Sequence, residues 1–281
     1  MLNKKIAIYG QDELYVTLKD VMGSDADIVN AARVSYNNDE KDNYSAGLID
    51  YLMRHKHTSP FEMVEYKFEL QMPIYIARQW FRHRTAHWSS FNEVSARYTE
   101  VEDKFYTPFE FSVNNKDNKQ AGNVIVNNEK TANWGNTVMT NNSICFLNYN
   151  NLLASGVSRE DARMVLPLNT LTRFIWKIDL SNLLHFILLR NDPTAQHLIR
   201  EYANVLASIV EQINPDTYKA FKKYVVDVVT LTAEEVYWLF DGVNISSAYE
   251  NMKKDLSPSK LAELERKLNF IRKNKRIGGN R

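Results

Sequence analysis

The chain has 281 residues, 44% of them apolar, enough to fill the core of one large domain or two modest ones, which excludes a mostly disordered protein. A balance of 35 basic against 34 acidic residues leaves a formal charge of +1, so there is no basic coat of the kind that holds nucleic acid through many phosphate contacts. The single cysteine, Cys145, excludes an intrachain disulfide and points to a reducing cytoplasmic setting; the opening MLNKKIAIYG is too short an apolar run for a signal sequence, and no stretch reaches the length of a membrane span.

In chain order, LYVTLKDVMGSDADIVNAARVSY reads as a short segment ending near Gly23, then a helix capped by Ser24 or Asp25 that turns Ala31, Ala32 and Val34 inward. SPFE, from Ser59 to Glu62, has the serine, proline and glutamate of a capping box and predicts a short helix. Val64, Tyr66, Phe68, Leu70 and Met72 then alternate with Glu65, Lys67, Glu69 and Gln71, which predicts a strand with one buried face. Pro73 opens a helix on Ile74, Ala77 and Phe81 that places Arg78 beside Arg82 and Gln79 beside His83.

From Phe111 to Asn151 asparagine and lysine crowd the chain, predicting an exposed loop that leads into a helix near Cys145. SREDARMVLPL and TRFIWKIDLSNLLHFILLR carry dense apolar faces and read as core helices, and TAQHLIREYANVLASIVEQI is amphipathic at helical spacing. After Pro215 the chain is expected to be peripheral, and Leu261, Leu264, Leu268 and Ile271 follow helical spacing near its end. There is no internal repeat.

The stretch from Ala77 to Tyr98 holds Arg78, Arg82, Arg84 and Arg97 with His83 and His87, against one acid, Glu93. The guanidinium fork matches phosphate oxygens, and like charges at helical neighbours cost a few tenths of a kcal/mol per pair until an anion binds, roughly. The plain reading is a solvated basic face. The following SSFNEVSAR adds hydroxyls, amides and backbone N–H groups suited to a phosphate-binding turn. His55 and His57 have no third ligand at metal spacing, so no metal site is expected. His185 on an apolar helix face reads as a core histidine, and Ser59 with Glu62 as a cap.

RQWFRHRTA together with NEVSARY resembles the signature of the flavin-dependent thymidylate synthases. AARVSY, HTSPFEM, REDARMVLPL and LLHFILLR resemble further segments of that family in the same order, so the resemblance spans roughly Val21 to Tyr224. One departure stands out: between Arg84 and Ser95 the chain carries roughly three residues more than the family's spacing, around His87, Trp88 and Ser89. The resemblance implies an α+β fold, an antiparallel-strand-containing sheet packed with a helical layer over residues 1–230, followed by a peripheral helical extension over 231–281.

It also implies reductive methylation of dUMP to dTMP, with 5,10-methylenetetrahydrofolate giving the carbon, FAD carrying the hydride and NADPH reducing the flavin, in a homotetramer with shared active sites. Gln79, Trp80, Phe81, Arg82, Glu93, Val94, Ser95, Ala96, Arg97, Arg163 and Arg190 would hold dUMP, with Arg190 catalytic. Ser59, Arg82, His83, Arg84, Glu93, Asp179, Leu180, Ser181 and His185 would contact FAD. Two other readings compete: a nucleic-acid module stacking bases on Trp80, Phe81 and Trp88, and a synthase attacking uracil with a thiolate, for which Cys145 in NNSICFLNYN has no adjacent base.

Overall fold

The computed structural model describes residues 1–34, 44–83, 90–113, 124–126, 129–232, 261, 264–267 and 269. Its centre is an antiparallel sheet in the order β1-β2-β3-β7-β4, formed by β1 (Lys5–Ile8), β2 (Gln11–Met22), β3 (Glu65–Pro73), β7 (Leu171–Asp179) and β4 (Ser90–Glu93). The two-residue turn Tyr9-Gly10 joins β1 to β2 with φ of 55° and 68°, the left-handed pair that matches strand twist in a tight hairpin. At Gly23 φ is 89° and an added Cβ would lie 3.1 Å from Val64 Cγ2, so both backbone and packing favour glycine there.

The alternation in β3 is realised: Tyr66, Phe68, Leu70 and Met72 have no exposed surface and face α6 (Leu180–Arg190) and α7 (His197–Ile213) as part of one apolar core. The predicted core helix over TRFIWKIDLSNLLHFILLR is instead β7 followed by α6. Thr172, Phe174, Trp176 and Ile178 alternate inward as in β3, and Asp179 then caps the helix by accepting the Asn182 N–H at 2.9 Å. The long β2 buries five consecutive residues, Leu14 to Leu18, because it is an interior strand.

Local expectations shift in other places. In α1 (Asp25–Arg33) Ile28 and Val29 are buried and Ala32 packs against the core as expected, whereas Val34 is 80% exposed; the Ser24 N–H donates to Asp27 at 2.8 Å at its start. SPFE forms a 3₁₀ turn, Ser59–Met63, preceded by Thr58 and lacking a side-chain cap, so the capping box does not form. The α2 helix spans Ala46–Arg54. The stretch read as a loop contains a hairpin, β5 (Phe111–Val113) with β6 (Val124–Val126), and a 26-residue helix, α4 (Glu129–Ala154), which starts well before Cys145.

The helix α8 (Pro215–Phe221) is part of the core layer, not peripheral: it buries Thr217, Ala220 and Phe221. Asp25, nearly buried at the start of α1, accepts from Thr217 Oγ1 at 2.6 Å, Asp216 N at 2.9 Å and Asn214 Nδ2 at 3.3 Å, which satisfies a carboxylate that would otherwise be costly to desolvate. The chain divides into two compact units, Met1–Val226 and Asp227–Arg281. In the second, Leu261, Leu264–Lys267 and Asn269 are helical; Leu268 and Ile271 lie outside the described residues. No helix among the described residues is long and apolar enough to cross a membrane.

Candidate active site

The basic stretch begins on α3 (Ile74–Trp80), a two-turn helix laid back over the sheet after Pro73. Its short length decides which side chains face inward. Ile76, Ala77 and Trp80 are buried, and Arg78 and Arg82 are exposed. Trp80 has no exposed surface: its ring sits 5.1 Å from Trp176, 4.4 Å from Phe186 and 5.9 Å from Tyr202. The Trp80 side chain thus belongs to the core, with its Nε1–H buried and lacking a partner among the described residues. Phe81 packs edge-on against Phe91 and Phe174, at 4.9 and 5.0 Å. Trp80, being buried, offers no face for the base stacking of the nucleic-acid reading, and Trp88 lies outside the described residues.

At the C-terminal end of α6, Arg190 Nε donates to His83 Nε2 at 2.5 Å, and Nη2 reaches the Gln79 carbonyl at 3.5 Å. An imidazole nitrogen that accepts must be unprotonated. Burial, reinforced by repulsion from Arg190 and His185, pushes the His83 pKa down to about 4, so the ring stays neutral in its accepting form. Its other side is fixed by an edge contact to Phe186 at 4.6 Å. Partial burial also lowers the proton affinity of Arg190, but a guanidinium remains charged at any working pH. Gln79 Nε2 in turn bonds Gln196 Oε1. A cation is thus held in a fixed orientation, and its remaining N–H groups are those available to a ligand carbonyl.

The second cluster lies across Phe81 and Phe91. β4 ends at Glu93, whose carboxylate accepts from Thr172 Oγ1 at 2.6 Å; Val94 N–H donates to the Arg173 carbonyl at 2.9 Å, so the next turn is anchored to β7. That turn holds Ser95 and Ala96, both half-buried, and Arg97, whose N–H donates to Ser95 Oγ at 3.3 Å. Glu160 on α5 (Arg159–Ala162) gathers two predicted phosphate ligands: its carboxylate pairs with Arg97 at 3.2 Å and its carbonyl accepts from Arg163 Nε at 3.1 Å. The Arg97–Glu160 pair is half exposed, worth about 0–1 kcal/mol, whereas a hydrogen bond to a phosphate contributes about 1.5–3 kcal/mol. A phosphate would win Arg97. Sequence reading missed Thr172, Glu160 and Gln196, which have no mark of their own and act through residues distant in the chain.

The flavin-assigned residues are divided. Asp179 is nearly buried and both its carboxylate oxygens are taken by Asn182; Leu180 has no exposed surface and its N–H donates to the Val64 carbonyl at 2.8 Å. Both side chains take structural roles at the start of α6. Ser59 and His185 are exposed and Ser181 is half-buried, so His185 is not the core histidine expected from its setting. Arg84, with His87, Trp88 and Ser89, lies outside the described residues. Cys145 is half-buried within α4. His55, His57 and Tyr51 form an aromatic cluster; among the described residues no group of three or more His, Cys, Asp or Glu could hold a metal ion.

Residues 17–216 match the model of the thymidylate synthase complementing protein family. The chain is 47% identical over 226 residues to a flavin-dependent thymidylate synthase of Thermus thermophilus, covering 80% of this chain and 82% of that one. It is 45% identical over 216 residues to the enzyme of the same name from Ehrlichia ruminantium (strain Gardel), covering 76% and 72%. The fold is similar to the crystal structure of the UMP/dUMP methylase PolB from Streptomyces cacaoi bound with 5-Br dUMP, with a TM-score of 0.68 and 32% identity over 75% of this chain and 95% of that one.

Proposed function

The chain belongs to the flavin-dependent thymidylate synthase family, and we propose that it converts dUMP to dTMP, taking the carbon from 5,10-methylenetetrahydrofolate and using NADPH to reduce bound FAD. The observation that supports this reading is the Arg190–His83 pair beside Gln79, a fixed guanidinium of the kind that can stabilise negative charge on an activated uracil ring. The Ser95 hydroxyl, Arg97 and Arg163 supply the donor set that a nucleotide phosphate requires. Glu93, held by Thr172, offers an acceptor at the same edge.

The residues present fit a flavin nucleotide. Arg82 is an exposed cation for the diphosphate, and Ser59, Ser181 and His185 offer polar groups at accessible positions. When bound, the flavin supplies the hydride. His83, Arg190 and Gln79 would orient the pyrimidine and balance charge as its ring is activated, while Ser95, Arg97 and Arg163 would hold the phosphate. No thiolate is required, and Cys145 stands apart in α4.

Ser181 lies at the N-terminal end of α6, whereas His83 touches Phe186 and Arg190 farther along it. The family resemblance supports a homotetramer in which each flavin is held by residues of more than one copy. The single cysteine supports a cytoplasmic location. The test is purification followed by a visible spectrum and an assay for dTMP with and without NADPH. A yellow protein that forms dTMP only with reductant is expected; a colourless protein that forms none after FAD is added contradicts the proposal.

A further inference from the structure

We propose that the outward face of α4 is a contact surface for a second copy of this chain. From Thr131 to Ser158 there is no Asp, Glu, Lys, Arg or His, although a quarter of the whole chain is charged. A helix face open to water normally carries charges of both signs, at roughly a quarter to a third of surface positions. The inner line of α4 is accounted for: Thr131, Asn142 and Tyr149 are buried, Asn142 accepts from Asn169 Nδ2 at 3.0 Å, and Tyr149 OH accepts from Val101 N at 3.1 Å. The opposite face carries Ile144 and Leu147, 54% and 59% exposed, among asparagine, threonine and serine.

The charge-free character selects the occupant. In a two-fold contact each patch meets itself, so a charged patch would face its own sign, whereas a neutral face of apolar and amide side chains is self-complementary. The helix is about 39 Å long at 26 residues, and a strip about 10 Å wide covers about 400 Å², half of what one partner contributes to a standard interface. Met164, 77% exposed on the 3₁₀ turn Arg163–Val165 packed beside α4, extends the same contact. This locates one contact of the homotetramer proposed above and rests on that reading.

The experiment is sedimentation equilibrium of the full chain with FAD, comparing wild type, Ile144→Lys, Leu147→Lys and, as a control on a distant exposed apolar residue, Met22→Lys. Both α4 variants should fall to half the wild-type mass or less, with the control unchanged. In a second arm, a nitroxide on Ile144→Cys in a Cys145→Ser background should give pair distances between copies shorter than the helix, under about 39 Å, which decides the case if a lysine variant does not fold. An oligomeric wild type whose α4 variants keep its mass, or whose labels lie farther apart, overturns this inference alone. A monomeric wild type overturns the homotetramer as well.

Discussion

Replacing His83 by alanine removes the acceptor at 2.5 Å from Arg190 Nε and the edge contact to Phe186 together. A hydrogen bond to a charged group contributes about 1.5–3 kcal/mol, so the loss in kcat for His83→Ala is expected to be roughly ten- to a hundred-fold. His83→Gln restores a neutral acceptor and should recover part of it. Protonation gives an independent check. With a native pKa near 4 and an ordinary value of 6.5, the unfolded chain takes up a proton between these pH values that the native ring refuses, so stability falls as pH drops from about 6.5 to about 4. Chemical denaturation across that window should show a smaller fall in His83→Gln. Nitrogen-15 NMR of the ring should find Nε2 unprotonated at pH 5.5. A ring that titrates near 6.5, or an alanine variant with unchanged kcat, would refute the argument that a neutral His83 holds Arg190.

Arg190→Ala should retain FAD absorbance and lose dTMP formation by about a hundred-fold or more; near-normal turnover removes its assigned role. Arg97→Ala should weaken dUMP by about 1.5–3 kcal/mol in calorimetric titration and leave deoxyuridine binding unaffected, whereas equal losses for both would assign Arg97 to the fold. Trp80→Ala should destabilise the protein by about 3–5 kcal/mol, and Trp80→Phe by much less, because phenylalanine fills most of the site and removes the buried unpaired N–H; a stable alanine variant with weakened dUMP would return Trp80 to the ligand. Cys145→Ala should keep full activity, and complete loss in a folded protein would favour covalent attack by the thiolate.

β3 is legible in the sequence because polar residues separate its buried ones, giving a clean period of two. The same period exists in β7, but Ile175 breaks the alternation and the apolar run continues into Leu180 and Leu183, so strand and helix merge in one stretch. β2 carries no alternation where Leu14 to Leu18 are all buried. At the site, residue type alone leaves the arginines readable as a solvated basic face, and the roles of Ser95, Arg97, Arg163 and Arg190 rest on the family resemblance. Trp80 does not announce its orientation: on so short a helix a change of a few residues in its start rotates the ring between solvent and core. Thr172 gains meaning from Glu93, and the Glu160 carboxylate from Arg97, contacts that cross long stretches of chain.

The folate product tests the account most directly. Turning a transferred methylene into a methyl group needs two electrons, and if FAD supplies them from NADPH the folate leaves as tetrahydrofolate; if the folate supplies them it leaves as dihydrofolate. Purified protein incubated with dUMP, methylenetetrahydrofolate and NADPH, with the folates separated by chromatography, should yield tetrahydrofolate in step with dTMP. Dihydrofolate formed one for one with dTMP, without any need for NADPH, would contradict it.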